Sequence, residues 1–485
     1  MPIITASIDP VTRIEGHLKV DVEIDTVDGV QQVVDAHCIG TLFRGFEKIM
    51  EGRDPRDAPN ITSRICGVCP TSHGLAAALT LDQAFGATPP TTGTMMRNLV
   101  HGACFLESHI LHFYILSLLD YIKGPAMAPW QPGWDTGRRL DAASEARLQG
   151  NYLQAIAMRR KCHEMGAIYG GKLPHTPSFI AGGFTAVSGG TDKAGFLSLL
   201  NEITAFIEGT LLPDVELLAS LYSDYFAIGQ GYGNLLSYGV FDEAGGGTLF
   251  APGRIDAGVA GIQALDTGRI AEQVTHSWYD DGTTGKHPSV GETVPVHPDS
   301  KSAGYSWLKA PRYDGDNYEC GPLSRMAVNG DYRGGVSVMD RHLARAQEAL
   351  KIAQAMPGWL AAVADGDYGY APTTVPDSAS GVGLTEAPRG ALAHWIGIES
   401  GLVSHYQIVT PTCWNCSPRD AAEQRGPLEE ALIGTPVKKA DQPVEVLRVI
   451  HSFDPCLDCA THVMRPDRKG TVYIVDRNGT RTAEA

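Results

Sequence analysis

The chain has 485 residues, of which 43% are hydrophobic, and a net charge of −16 at pH 7. That length allows two or three ordinary domains or one large interlocked one with a substantial core. The acidic balance excludes a nucleic-acid surface, which needs a basic face for phosphate, and ten cysteines are too sparse here for a disulfide scaffold.

Taken from the N-terminus, Met1-Pro-Ile-Ile-Thr5 lacks a charged segment followed by an apolar one, so no signal peptide is expected. Leu18–Ile24 alternates apolar and polar residues, Asp28-Gly29 marks a turn, and Val30–Ile39 returns as the second strand of a hairpin. Arg44–Glu51 reads as a helix and Asp54–Pro59 as a proline-rich loop. Ser72–Phe85 is helical in pattern, which sets Cys69 near a helix N-terminus, where thiolate is favoured over thiol. Met95–Tyr121, apolar on most sides, predicts a central helix. Its most apolar part, Ala103–Leu119, contains Glu107, His109 and His112, so a buried helix is expected and no membrane span.

Further on, Ser144–Gly170 predicts a helix that stops at Gly170-Gly171, and Lys193–Phe226 another with a break at Pro213. Residues 228–335 are rich in glycine and turn residues and predict short strands and loops. Asp340–Ala364 is helical with an interruption near Pro357, and Val444–His451 is the last helix before a second cysteine pair. The expected architecture is mainly α with peripheral β hairpins (α+β). It divides into a β-rich 1–65, a helical 66–227, an irregular 228–335 and a helical 336–462 carrying the C-terminal cysteines. Residues 463–485 form an extension with strand-like Thr471–Val475 and an Asn478-Gly479 turn.

Two C-x-x-C pairs dominate the chemistry: Cys66/Cys69 and Cys456/Cys459. Each spacing lets two thiolates hold one ion, and the four together would make a four-thiolate site with the two ends of the chain meeting at one buried place. Cys69 and Cys456 stand 387 positions apart, whereas zinc ribbons close loops of about 15–20 residues. The spacing alone leaves structural zinc, a redox dithiol and a catalytic metal open.

The flanking residues go further. Arg64-Ile-Cys-Gly-Val-Cys69, Phe453-Asp-Pro-Cys-Leu-Asp-Cys-Ala-Thr-His462 and Arg44-Gly-Phe-Glu47 resemble the nickel–iron hydrogenase large (catalytic) subunit. So do Asp9–His17, Lys309–Asp314, Glu386-Ala-Pro-Arg-Gly390 and Pro411-Thr-Cys-Trp-Asn415, in the family's order and from end to end of the chain. The resemblance implies nickel held by Cys66, Cys69, Cys456 and Cys459, with Cys69 and Cys459 bridging to an iron that carries carbon monoxide and cyanide. It places Pro388 and Arg389 beside the iron, Thr412 as a hydroxyl donor to cyanide, and His73 as a hydrogen-bond donor to sulfur. Asp120 and Asp454 match the acidic residues around the arginine. Cys459 resembles the terminal thiolate nearest the proton exit, and Glu15 the carboxylate that relays the proton. Glu47, His462 and a backbone carbonyl around Ile450 match a separate magnesium site.

The same resemblance implies reversible heterolytic cleavage of H2, with electrons leaving through an obligate iron–sulfur small subunit. It adds maturation factors, an endopeptidase that removes 463–485, and a membrane cytochrome. The expected place is periplasmic and membrane-associated through the small subunit, with a cytoplasmic location as the alternative. A zinc-stapled structural protein and a subunit like the quinone-site subunit of respiratory complex I are the competing readings. Two departures from the pattern stand out: Asp458 between the C-terminal cysteines, and a third pair, Cys413 and Cys416, expected to be buried inert thiols.

Overall fold

The computed structural model describes residues 3–457 apart from 129, 131, 132, 135 and 136, together with the strands 472–476 and 479–483. At the N-terminus, β1 (Ile4–Ile8), β2 (Leu18–Val27) and β3 (Val30–Gly40) form an antiparallel sheet. The β2–β3 hairpin runs from Leu18↔Gly40 to Val27↔Val30. Its turn residues, Asp28 (φ 51°) and Gly29 (φ 83°), both adopt the left-handed conformation that matches the strands' twist. Leu18, Val20, Val22 and Ile24 face the core, as the alternation predicts.

Helix α1 (Phe46–Met50) follows. The segment expected as a loop is helical instead: a 3-10 turn at Pro55–Asp57 leads into α2 (Ala58–Thr62). Its prolines sit in first turns, where a missing N–H costs nothing. Helix α3 (Pro70–Phe85) starts at Cys69 as N-cap, and α4 (Thr91–Leu111) is buried along nearly its whole length. The predicted straight run to Tyr121 becomes a π turn (His112–Ser117) and a 3-10 turn (Leu118–Asp120). The widened turn frees the Leu116 carbonyl to accept from Arg13 Nη1 at 2.6 Å.

Helix α5 (Ala142–Gly170) is capped by the Asp141 carboxylate, which accepts from Ser144 N. Helices α6 (Gly190–Phe206) and α7 (Leu212–Leu221) join through a π turn, so Pro213 falls in the first turn of α7 and breaks nothing. Residues 228–335 hold short strands and end in α8 (Pro322–Val328); α9 (Val338–Ala362) then runs unbroken through Pro357. Short helices α10 (Pro411–Asn415) and α11 (Pro427–Leu432) precede α12 (Val444–Phe453). Thr91–Asp120 and Gly190–Leu221 are long and apolar enough to cross a membrane by length and composition; the first is buried in the fold, and α6 packs against α5 and α9.

The largest departure from expectation lies in 336–462, read as helical. Ser378–Ala387, Gly390–Glu399 and Leu402–Val409 form an antiparallel sheet, and it is not peripheral, because α3 packs directly on it. The approach is so close that a Cβ on Gly383 would lie 2.2 Å from the Ala76 carbonyl oxygen. Ala391–Ile396 is buried without alternation, so the strand carries no period-2 signal. At the far end, Val472–Asp476 pairs with Gly479–Ala483, close to the expected hairpin.

Two buried charge systems tie these layers together. Arg325 joins Glu348 (2.6 and 2.8 Å) and Glu386 (2.7 Å) and also holds the carbonyls of Ala387 and Pro388 (2.9 and 2.8 Å). Glu429 on α11 accepts from Cys38 N on β3 (2.8 Å) and from Tyr305 OH (2.9 Å). Burial pushes Glu429 up from 4.5 to about 7. The folded chain therefore holds a proton that the unfolded chain releases, so this group's stabilisation is intact below about pH 4.5 and is lost as the pH rises to about 7. Glu429→Gln removes that dependence. Thermal unfolding should show the variant gaining on the parent across this window and holding a constant difference above it.

Candidate metal centre

The first cysteine pair is shaped by its own turn. Cys66 Sγ accepts from Val68 N (3.3 Å) and Cys69 N (3.2 Å), contacts that favour the thiolate. Arg44 steadies the approach by donating to the Ile65 carbonyl. From the other end of the chain, α12 delivers Cys456. Its sulfur lies 3.3 Å from Cys66 Sγ and 4.0 Å from Cys69 Sγ. All three sulfurs fall within 4.8 Å of one another, and all three residues are 1% exposed. Cys459, Asp458 and His462 lie outside the described residues.

Glu15 closes one side of the cluster. Its N–H donates to the Pro455 carbonyl (3.3 Å), and its carbonyl accepts from Leu457 N (2.7 Å), so its backbone brackets Cys456. Its carboxylate accepts from Gly67 N (3.0 Å) and stands 3.8 Å from Cys66 Sγ. Among the described residues, the thiol beside the expected proton relay is that of Cys66; Cys459, to which the resemblance gave that place, lies outside them.

Arg389 closes another side. Ala387 pairs with Gly390, so Pro388 and Arg389 form a two-residue hairpin turn, fixed from behind by Arg325. Arg389 Nε donates to the Asp454 carbonyl (3.1 Å), and Nη1 reaches Ser108 Oγ (3.4 Å). Nη2 is 3.0 Å from Asp454 Oδ1. That contact is off the hydrogen-bonding direction, leaving Nη2 and both Asp454 oxygens without a hydrogen-bond partner among the described residues. Burial lowers the guanidinium's pKa, but Asp454 and then the sulfurs of Cys456, Cys69 and Cys66 raise it well above its ordinary value. Thr412 on α10 accepts from Cys456 N at 3.0 Å, which leaves its hydroxyl proton available.

Other expectations need correcting. Asp120 does not reach the arginine. It pairs with Arg13 and with His451 Nδ1 (2.5 Å), and Ser108 takes the place beside Arg389. Burial raises the Asp120 carboxyl, but Arg13 and His451 overcome it and hold it below the usual range. Ile450 sits on α12 in the main core, and no described contact joins it to Glu47. The backbone that meets Glu47 is Ile408, whose N–H donates to it at 2.9 Å. Glu47 also accepts from Thr293 and lies 3.7 Å from Lys309 Nζ, which bonds Gln407 (2.7 Å) and Glu272 (3.2 Å). His73 bonds His394 (3.1 Å); no described bond takes it to a sulfur, and burial brings its pKa down to about 4.

Ser108, Arg325, Glu272 and Gln407 escaped sequence reasoning because single polar residues in apolar elements carry no spacing signal. Cys413 and Cys416 are buried free thiols. Burial pushes Cys413 up to about 11 and raises Cys416 as well, which keeps both protonated and inert near neutrality.

The donor set suits a soft metal. Clustered buried thiolates select nickel, zinc or iron over hard cations, and the open Arg389 Nη2 beside them suits a small anionic ligand on such a metal. A family model described as nickel-dependent hydrogenase matches residues 44–133 and 122–462, and one described as HoxL-like matches 5–36. The chain is 42% identical to the periplasmic [NiFeSe] hydrogenase large subunit of Desulfomicrobium baculatum over 97% of both chains. It is 33% identical to the uptake hydrogenase large subunit of Rhizobium leguminosarum bv. viciae over 95% of both. A solved structure of the reduced Ni-Fe-Se hydrogenase from D. vulgaris Hildenborough superposes with a TM-score of 0.91 and 42% identity, covering 95% of this chain and 100% of that one. Matches of this length leave no place for the zinc-stapled reading or the complex I reading: the chain belongs to the nickel-dependent hydrogenase family, as a large subunit, and is an oxidoreductase acting on H2.

Proposed function

We propose that the chain catalyses reversible heterolytic cleavage of H2 at a nickel–iron centre that Cys66, Cys69, Cys456 and Cys459 would hold. The observation that carries this reading is the packing of three thiols from opposite ends of the chain into one buried cluster. Such a centre, when bound, polarises H2 and takes up its two electrons. The protein's own residues do the rest. Glu15, against Cys66 and the backbone of Cys456, receives the proton and passes it outward. Arg389, held in its turn by Arg325 and by the Asp454 carbonyl, offers a preorganised cation and an open donor to carbon monoxide and cyanide on the iron. Thr412 offers its hydroxyl proton to cyanide.

The described residues hold no iron–sulfur cysteine array beyond this cluster, which supports electron exit through an iron–sulfur small subunit. Names of relatives support a periplasmic, uptake-type complex. Attachment through a membrane cytochrome, and removal of 463–485 by a maturation endopeptidase, complete the reading. Magnesium is supported here by Glu47 alone, whose carboxylate is already engaged, so no step depends on it.

Glu15→Gln tests the relay. In the purified two-subunit complex, H2-dependent dye reduction and H2/D2O exchange should fall about 10²–10⁴-fold, with nickel content unchanged. Exchange at the parental rate would overturn the assignment.

A further inference from the structure

The segment that carries Glu15 is held by more than its contacts with the cysteines. Arg13 adopts φ 59°, a left-handed conformation that a side chain of its size adopts only when its surroundings impose it. Those surroundings come from two other elements. From the turns after α4, the Leu116 carbonyl accepts from Arg13 Nη1 at 2.6 Å, and the Asp120 carboxylate pairs with Nη2. From α12, His451 presents Nδ1 to Asp120 Oδ2 at 2.5 Å and Nε2 to the Thr12 carbonyl oxygen at 2.9 Å. Arg448, one turn earlier on α12, donates to the Asp120 carbonyl at 2.8 Å. Asp120 and His451 are buried, and one carboxylate therefore joins the Glu15 segment to the helix that leads into Cys456.

The hydrogen-bond accounting at His451 is specific. Both ring nitrogens face oxygens that only accept: a carboxylate and a backbone carbonyl. A neutral imidazole would turn one lone pair against an oxygen, whereas the imidazolium donates to both. Asp120 then carries two cationic partners, Arg13 and His451.

We propose that Asp120, with His451 as an imidazolium and Arg13, forms a positioning clamp that sets the Glu15 carboxylate against the thiols for proton transfer. Glu15 lies two residues beyond Arg13 and three beyond Thr12, so loosening the clamp shifts the carboxylate relative to Gly67 N and Cys66 Sγ. The proposal rests on Glu15 being the proton relay, and it assigns Asp120 a role away from Arg389.

The test uses the metal-loaded two-subunit complex, with nickel content and infrared bands as the check that the centre is intact. Asp120→Asn keeps the shape and one acceptor but removes the charge. It should lower kcat and H2/D2O exchange about 10–100-fold, the range expected from a misplacement of about 1 Å, with KM and the infrared bands unchanged. The crystal structure of this variant should show Glu15 displaced from Gly67 N. In a Glu15→Gln background the same substitution should cost less than about threefold, because the group it positions is already gone. A full second loss in that background, or a Glu15 carboxylate that has not moved, would overturn the clamp. If Glu15→Gln alone leaves exchange intact, the relay reading has failed instead, and the two failures are distinguishable. A neutron structure of the parent complex tests the clamp without any substitution: deuterium on both nitrogens of His451 supports it, and deuterium on one alone contradicts it. His451→Gln, which cannot donate in both directions, should reproduce the Asp120→Asn phenotype.

Discussion

Cys456→Ser should abolish nickel retention and lower H2 oxidation by more than about 100-fold, the upper end of what losing a partner one shell outside a metal already costs. The substitution changes one atom at a position that is 1% exposed. Its backbone remains held by Thr412 through Cys456 N and by Glu15 through the flanking residues. What disappears is a soft, readily ionised ligand 3.3 Å from Cys66 Sγ. A serine hydroxyl is harder and far less acidic, so it competes poorly for nickel. Nickel per chain, measured on the purified complex beside thermal unfolding of the unloaded chain, separates loss of the ligand from loss of the fold.

Arg389→Met is expected to be nearly as damaging, for two separable reasons. Removing one partner of a buried ion pair leaves Asp454 charged and uncompensated, a cost of about 3–5 kcal/mol. Removing a preorganised donor from the reacting site costs about 10²–10³ in kcat. Arg389→Lys separates the two. A lysine ammonium restores the charge beside Asp454 but cannot reproduce the planar fork that reaches the Asp454 carbonyl and Ser108 together. Unfolding temperature should therefore recover in the lysine variant, while kcat stays low.

Legibility in the sequence followed the range of the signal. The β2–β3 hairpin was readable because alternation and an Asp-Gly turn are local, and α3 because Pro70 opens it and Gly86 closes it in the left-handed conformation. The sheet formed by Ser378–Ala387, Gly390–Glu399 and Leu402–Val409 was not, because its middle strand is covered on both faces and reads as a continuous apolar run. Cys66, Cys69, Cys456, Glu15 and Arg389 were legible as motifs, and the structure brings them together. The resemblance set Asp120 beside the arginine, whereas the chain after α4 turns through a π turn and gives Asp120 to Arg13 and His451, with Ser108 beside Arg389 instead. A turn widened at His112–Ser117 is visible only once Arg13 is seen taking the Leu116 carbonyl. Ile450 was displaced for a similar reason: the chain that meets Glu47 comes from the unrecognised sheet, at Ile408.

The central claim is that cysteines from both ends of the chain build one nickel–iron centre. Metal analysis with infrared spectroscopy of the purified, processed two-subunit complex tests it most directly. One nickel per large subunit, with stretching bands of metal-bound carbon monoxide and cyanide, is the predicted result. Stoichiometric zinc in that complex, with no such bands, would contradict it.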